Sequence, residues 1–134
     1  MDEQKDEKTQ KARRAVGEVN GEWCLFDTWE PEREDLPAVH FAYVPLVPNK
    51  LQALVEKMQT AGRKEAIRLS VNIVAAQVRQ WTARDLSGAA VDPRNAVEIS
   101  GKLDNFIIEA VCNRILDGRS TQTAQQALSD FLKP

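Results

Sequence analysis

Two cysteines, a single histidine and no long apolar run leave several classes of function without the residues they need. Cys24 and Cys112 stand far apart with no second cysteine beside either, so no zinc-binding pair is present and two free thiols in a reducing compartment are expected. His40 alone excludes a cluster of histidine ligands and leaves any histidine-based dyad to one residue. It falls between Val39 and Phe41 in a strand-like stretch without an obvious nucleophile, and reads as a structural surface histidine. The six glycines are scattered and form neither a P-loop nor a dinucleotide-binding fingerprint. No window approaches the roughly 20 apolar residues of a bilayer span, and no basic segment followed by an apolar run opens the sequence. Neither sign of charge dominates: 18 Lys and Arg against 20 Asp and Glu give a net charge of −2, without the basic excess of a nucleic-acid binder. These absences point away from an enzyme, a metal, a cofactor or a membrane, and toward a cytoplasmic protein that works by contact with other proteins.

What the 134 residues do contain is apolar periodicity, enough for one domain with a core. The stretch 63–81 runs without proline or glycine. Ile67, Val71, Val74, Val78 and Trp81 recur at steps of four and three, one stripe of a helix, and Leu69, Ile73 and Ala76 make a second stripe beside it. A helix with two apolar stripes needs neighbours on more than one side, so 63–82 is expected as the central helix of a mainly α fold.

Residues 1–20 open with mixed charge and little to bury, and are expected as a disordered or fraying tail. From Gly21 the texture changes. Aromatic and branched residues in 22–28 and again in 38–44 alternate as strands do, which predicts an N-terminal hairpin over about 22–44 with an acidic, proline-bearing loop between its strands. Those loop acids lack the alternating spacing and pivot glycine of a calcium site. Four helices follow in the reading, at 49–61 with Asn49 as N-cap, 63–82, 93–100 opened by Asp92 and Pro93, and 102–117. In the last of these Leu103, Ile107, Val111 and Ile115 repeat every four residues. The segment 119–134 has Ala124, Leu128 and Phe131 at helical spacing and is expected as a short terminal helix.

Three tryptophans carry the remaining signal. Trp81 completes the apolar stripe and is expected in the core, its indole N–H held by an acceptor nearby. Trp29, set among acids in the predicted loop, is either an exposed partner anchor or a ring folded back over the hairpin. With Phe41 and Tyr43 it makes up the candidate partner contacts. A DNA-binding reading rests on Arg94 and Asn95 at a helix start, but the connection before them is longer than a helix-turn-helix uses and no dense run of bases follows.

The order of motifs from 39 to 116 resembles the tail assembly chaperones of long-tailed bacteriophages. Members show an aromatic and proline entry like Phe41 to Leu46, then a leucine-rich helix like 51–58. A long apolar helix then ends in tryptophan, an Asp-x-x-Gly turn follows, and a valine precedes a helix start that contains proline. Those positions here are Trp81, Asp85, Gly88, Val91 and Pro93. An isoleucine-rich helix, matched by Phe106 to Leu116, closes the pattern. The resemblance implies a non-enzymatic chaperone that coats the tape measure protein before the tail tube forms, contacts tail tube subunits through a longer frameshifted product, and self-associates. It implies no catalytic residue, and gives Trp81, Asp85, Gly88 and Pro93 a turn-shaping role. A structural or adaptor subunit of a phage tail or related assembly is the alternative, and a small DNA-binding regulator a further one.

Overall fold

A computed structural model describes residues 15–117. The expected terminal helix over 119–134 and the first fourteen residues of the expected tail lie outside the described residues. The order within them is β1 (Ala15–Val19), β2 (Glu22–Trp29), β3 (Val39–Tyr43), α1 (Pro48–Thr60), α2 (Arg63–Gln77), β4 (Val78–Trp81), α3 (Ala96–Lys102) and α4 (Asn105–Leu116). The strands form one antiparallel sheet in the order β1-β2-β3-β4. A four-stranded sheet with four helices among the described residues is a mixed α and β fold, which corrects the mainly α expectation.

Two local causes account for the difference. The first is Asn20-Gly21. Both residues adopt the left-handed region, with φ of 52° and 84°, as a two-residue hairpin turn requires. That turn folds Ala15–Val19 back along β2, so a strand lies where the end of a fraying tail was expected.

The second cause is the early end of the central helix. Helical spacing continues through Val78 and Trp81, yet Val78 is extended at φ −77° and ψ 131°. Val78 and Trp81 are good strand formers, and their backbone pairs with β3, Val78 opposite Tyr43 and Trp81 opposite Phe41. The register slips between Ala42 and Tyr43, leaving Arg79 as an extra residue in β4. This bulge lets Val78 and Trp81, three apart, both pack against the helix-side core. The change of element is fixed by a reciprocal pair of bonds: the Val44 N–H donates to the Gln77 carbonyl at 2.9 Å, and the Gln77 side-chain amide donates to the Val44 carbonyl at 2.6 Å.

The helices pack on one face of the sheet. Leu25, Val39, Phe41, Tyr43 and Val78 meet Val71 and Val74 of α2, Ile99 of α3, and Ile108, Val111 and Ile115 of α4. On the other face Val19, Cys24 and Ala42 form a smaller cluster with Phe26 and Val44. Gly17 in β1 is closely approached there by the Phe26 ring, which a Cβ would meet at 2.8 Å and push aside.

The helix starts also differ in detail from the sequence reading. Pro48 is the first helical residue of α1 and Val47 precedes it without a side-chain cap, so Asn49 is inside the helix. For α3 the cap is Asn95, which accepts the Glu98 N–H, while Asp92 and Pro93 belong to the preceding turn. Asp104 caps α4 through the Phe106 N–H.

Candidate partner-binding surface

Trp81, Asp85, Gly88 and Pro93, the positions singled out by sequence, lie along one excursion between β4 and α3. Asp85 organises its tip: one carboxylate oxygen accepts from the backbone N–H groups of Ser87 and Ala89 and from the Ser87 hydroxyl. Those bonds, led by the Ser87 hydroxyl, hold the Asp85 carboxyl below the usual carboxylate range. Gly88 takes φ +84°, and Arg84 donates to its carbonyl at 3.0 Å. At the base, the Trp81 indole N–H donates to the Val91 carbonyl at 2.7 Å. The excursion is therefore braced at both ends, and Leu86 at its tip is 96% exposed.

The aromatic candidates separate. Phe41 and Tyr43 are buried in the helix-side core, so their role is packing and neither is available to a partner. Trp29 is the last residue of β2 rather than a loop residue, and folds back against the body of the protein. Its ring lies 5.7 Å from that of Phe106 on α4, and the Arg33 guanidinium sits 5.6 Å over the other ring of this pair. His40 is exposed, with its Nδ1 2.9 Å from the Thr28 hydroxyl and its backbone bonded to Thr82. The residues that open α3, Arg94 and Asn95, are engaged in the turn and cap of a seven-residue helix.

One buried feature was missed by the sequence reading, and a second, expected there as a free thiol, is strongly perturbed by its surroundings. Asp27 follows Leu25 on the helix-facing side of β2, so strand alternation carries a carboxylate into the core. There it meets Arg114 of α4 in a two-pronged pair at 2.7 and 3.0 Å, which ties the last described helix to the sheet. The signal was an acid at every-other-residue spacing within Trp23, Leu25 and Trp29. Cys112 is the other feature. Burial between α2 and α4 pushes its thiol up to about 11, against a smaller opposing effect of its hydrogen bond with Ser70.

The Cys112 thiol therefore stays protonated in the folded chain at pH values where the unfolded chain, near 9.0, releases the proton. Its contribution to stability is complete below about pH 9 and is lost as pH rises toward 11, on the order of 3 kcal/mol in all. Urea titrations at pH 8 and pH 10.5 should show a steep loss in the native protein and a shallower one in Cys112→Val. Equal slopes would assign the alkaline loss to other groups.

The feature with the clearest capacity for contact is α1. Its thirteen residues include Leu51, Leu54, Val55 and Met58 on one side, yet none is fully buried. One side of α1 borders a groove of about 170 Å³ lined by Leu46, Lys50, Leu54, Leu69, Ile73 and Ala76, among others. The other side borders a cleft of about 340 Å³ where Val55, Met58 and Gln59 face Asn113, Leu116 and Asp117 at the end of α4. Val47, just before the helix, is 63% exposed. An amphipathic helix seated this shallowly, with space along both flanks, leaves apolar surface open to a second helix.

No group of three or more His, Cys, Asp or Glu side chains among the described residues is placed to hold a metal ion. No helix among them is long and apolar enough to cross a membrane. Comparison with protein-family models, curated proteins and solved structures returns no match.

Proposed function

We propose that this chain is a non-enzymatic tail assembly chaperone of a long-tailed phage or prophage, working in the bacterial cytoplasm to hold the tape measure protein soluble while tail tube subunits assemble. The observation that carries the reading is the shallow seating of α1, which leaves Leu51, Leu54, Val55 and Met58 each partly exposed between two grooves. It is supported by the ordered motifs from 39 to 116, whose Trp81, Asp85 and Gly88 brace one turn. A long apolar helical client aggregates unless its stripe is covered as it is made. Many copies of a small domain, each offering a shallow face of low affinity, cover such a client and leave readily when the tube displaces them. Self-association of the copies along the client belongs to the same proposal.

The test is co-expression with the tape measure protein encoded in the same tail operon, followed by affinity capture and sizing. The expected product is a soluble complex with several copies of this chain per client, and this chain is absent from finished particles. A second reading, an adaptor subunit of the particle, is favoured by the outer edge of β1, which pairs only with β2 among the described residues. Recovery of the chain in purified particles, with no client complex, selects that reading instead.

A further inference from the structure

We infer that the groove between α1 and α2 takes an amphipathic helix whose apolar stripe is flanked by acidic side chains. The inference deepens the chaperone reading and rests on it for the identity of the client, though not for the chemistry of the groove. The floor is apolar, built by Leu46 and Leu54 on one side and Leu69, Ile73 and Ala76 on the other. Its volume of about 170 Å³ accommodates the projecting side chains of a helix laid along it, not an enclosed small molecule.

The rims decide the partner's charge. Lys50 lines the groove, and Leu54 and Lys57 continue its row on α1 at four and seven residues. On α2, Lys64 and Arg68 lead at steps of four to Asn72, which also lines the groove. Lys50, Lys57 and Lys64 are exposed and take part in no ion pair among the described residues. The local carboxylates are turned to other uses. Glu65 pairs with Arg68 at 2.6 Å, and Glu56 accepts from Gln52 at 3.0 Å along a different row of α1. Over 48–77 there are five bases, Lys50, Lys57, Arg63, Lys64 and Arg68, against two acids, Glu56 and Glu65. That local net charge of +3 stands in a chain whose total is −2. The cleft on the far side of α1 lacks this character, since Gln59, Asn113 and Asp117 line it.

Spacing adds a further constraint. Lys50 and Lys57 are about 10 Å apart along the helix axis at 1.5 Å per residue. A client helix running alongside meets both with acids two turns apart, flanking an i, i+3, i+4, i+7 apolar stripe. Opposite charge across the rim also speeds encounter and rejects basic helices of equal hydrophobicity.

Two labelled helical peptides with the same leucine stripe, one flanked by glutamate and one by lysine, test this on the full chain by fluorescence anisotropy. The expected result at low salt is at least tenfold tighter binding of the glutamate peptide, narrowing as salt screens the rims. Lys50→Glu, Lys57→Glu and Lys64→Glu combined should reverse the preference. These side chains are exposed, so circular dichroism should show the variant folded. Leu69→Ala should weaken both peptides, because it removes apolar floor and leaves the rim charge unchanged. Equal binding of the two peptides, or a preference that survives the triple reversal, overturns the inference. The two levels separate cleanly: a tape measure complex that forms equally with the triple variant removes this groove as the client's seat and leaves the chaperone reading standing. A peptide preference that behaves as described, in a protein that captures no tail client, keeps the groove's chemistry and removes the family reading.

Discussion

Arg114→Met should lower the unfolding free energy by about 3–5 kcal/mol, enough to leave much of the population unfolded if the parent has ordinary stability. The Asp27 side chain is fully buried and accepts two bonds from the Arg114 guanidinium. Removing the cation takes two charge-assisted bonds from a buried carboxylate, while the Thr28 N–H still donates to it at 2.8 Å. The pair has a second consequence for the fold. It joins β2 to α4, elements far apart in sequence, and so closes the sheet against the last described helix. Urea denaturation followed by far-ultraviolet circular dichroism measures the loss. Asp27→Leu combined with Arg114→Met should recover part of it, because the penalty comes mainly from a buried carboxylate that has lost its guanidinium. A loss below about 1 kcal/mol in the single variant would mean that Asp27 does not depend on Arg114 for its compensation.

Trp81→Ala should cost about 3 kcal/mol and Trp81→Phe about 1 kcal/mol. The larger change removes a half-buried ring that packs on the core opposite Phe41, together with the bond to the Val91 carbonyl. The smaller one removes little more than the bond. Because Trp81 holds the base of the turn whose tip is set by Asp85 and Gly88, the alanine variant should also raise amide exchange through 84–90 before the rest of the domain opens. Equal costs for the two variants would mean that the indole hydrogen bond, rather than ring packing, dominates at this position.

How far the sequence announced this structure varies by element. The β2 and β3 hairpin was legible because Val39, Phe41 and Tyr43 alternate with residues that face the other side, and strand alternation is a short-range signal. The core of α4 was legible for the same reason at helical period, in Ile107, Val111 and Ile115. The fourth strand was not. Val78 and Trp81 satisfy a helical stripe and, through the bulge at Arg79, also a strand that faces the same core, so apolar spacing cannot choose between the two. The choice is made by pairing with β3, a long-range interaction that propensity does not carry. The first strand was less legible for a simpler reason: Asn20-Gly21 is a strong turn signal, but the five residues before it carry only Val16 and Val19 as branched apolar side chains.

The candidate site divides in the same way. The turn positions Trp81, Asp85 and Gly88 carry their chemistry locally, in an acid, a glycine and an indole, so sequence could point to them. The partner contacts could not be assigned, because Phe41 and Tyr43 on a strand look alike whether buried or exposed; here they are 2% and 0% exposed. The partly exposed stripe of α1 has the opposite history. Leu51, Leu54, Val55 and Met58 read as an ordinary core-facing helix, and only the packing reveals that the helix is seated shallowly between two grooves.

If the α1 and α2 pair is the face that holds a helical client, binding covers the backbone of both helices. Amide hydrogen exchange on the full chain, alone and with the tape measure protein proposed as its client, tests this. New protection should be concentrated in 48–77, with little change in β1 and in the 84–90 turn. Protection confined to the β1 edge or to that turn, with 48–77 exchanging as in the free chain, would contradict it.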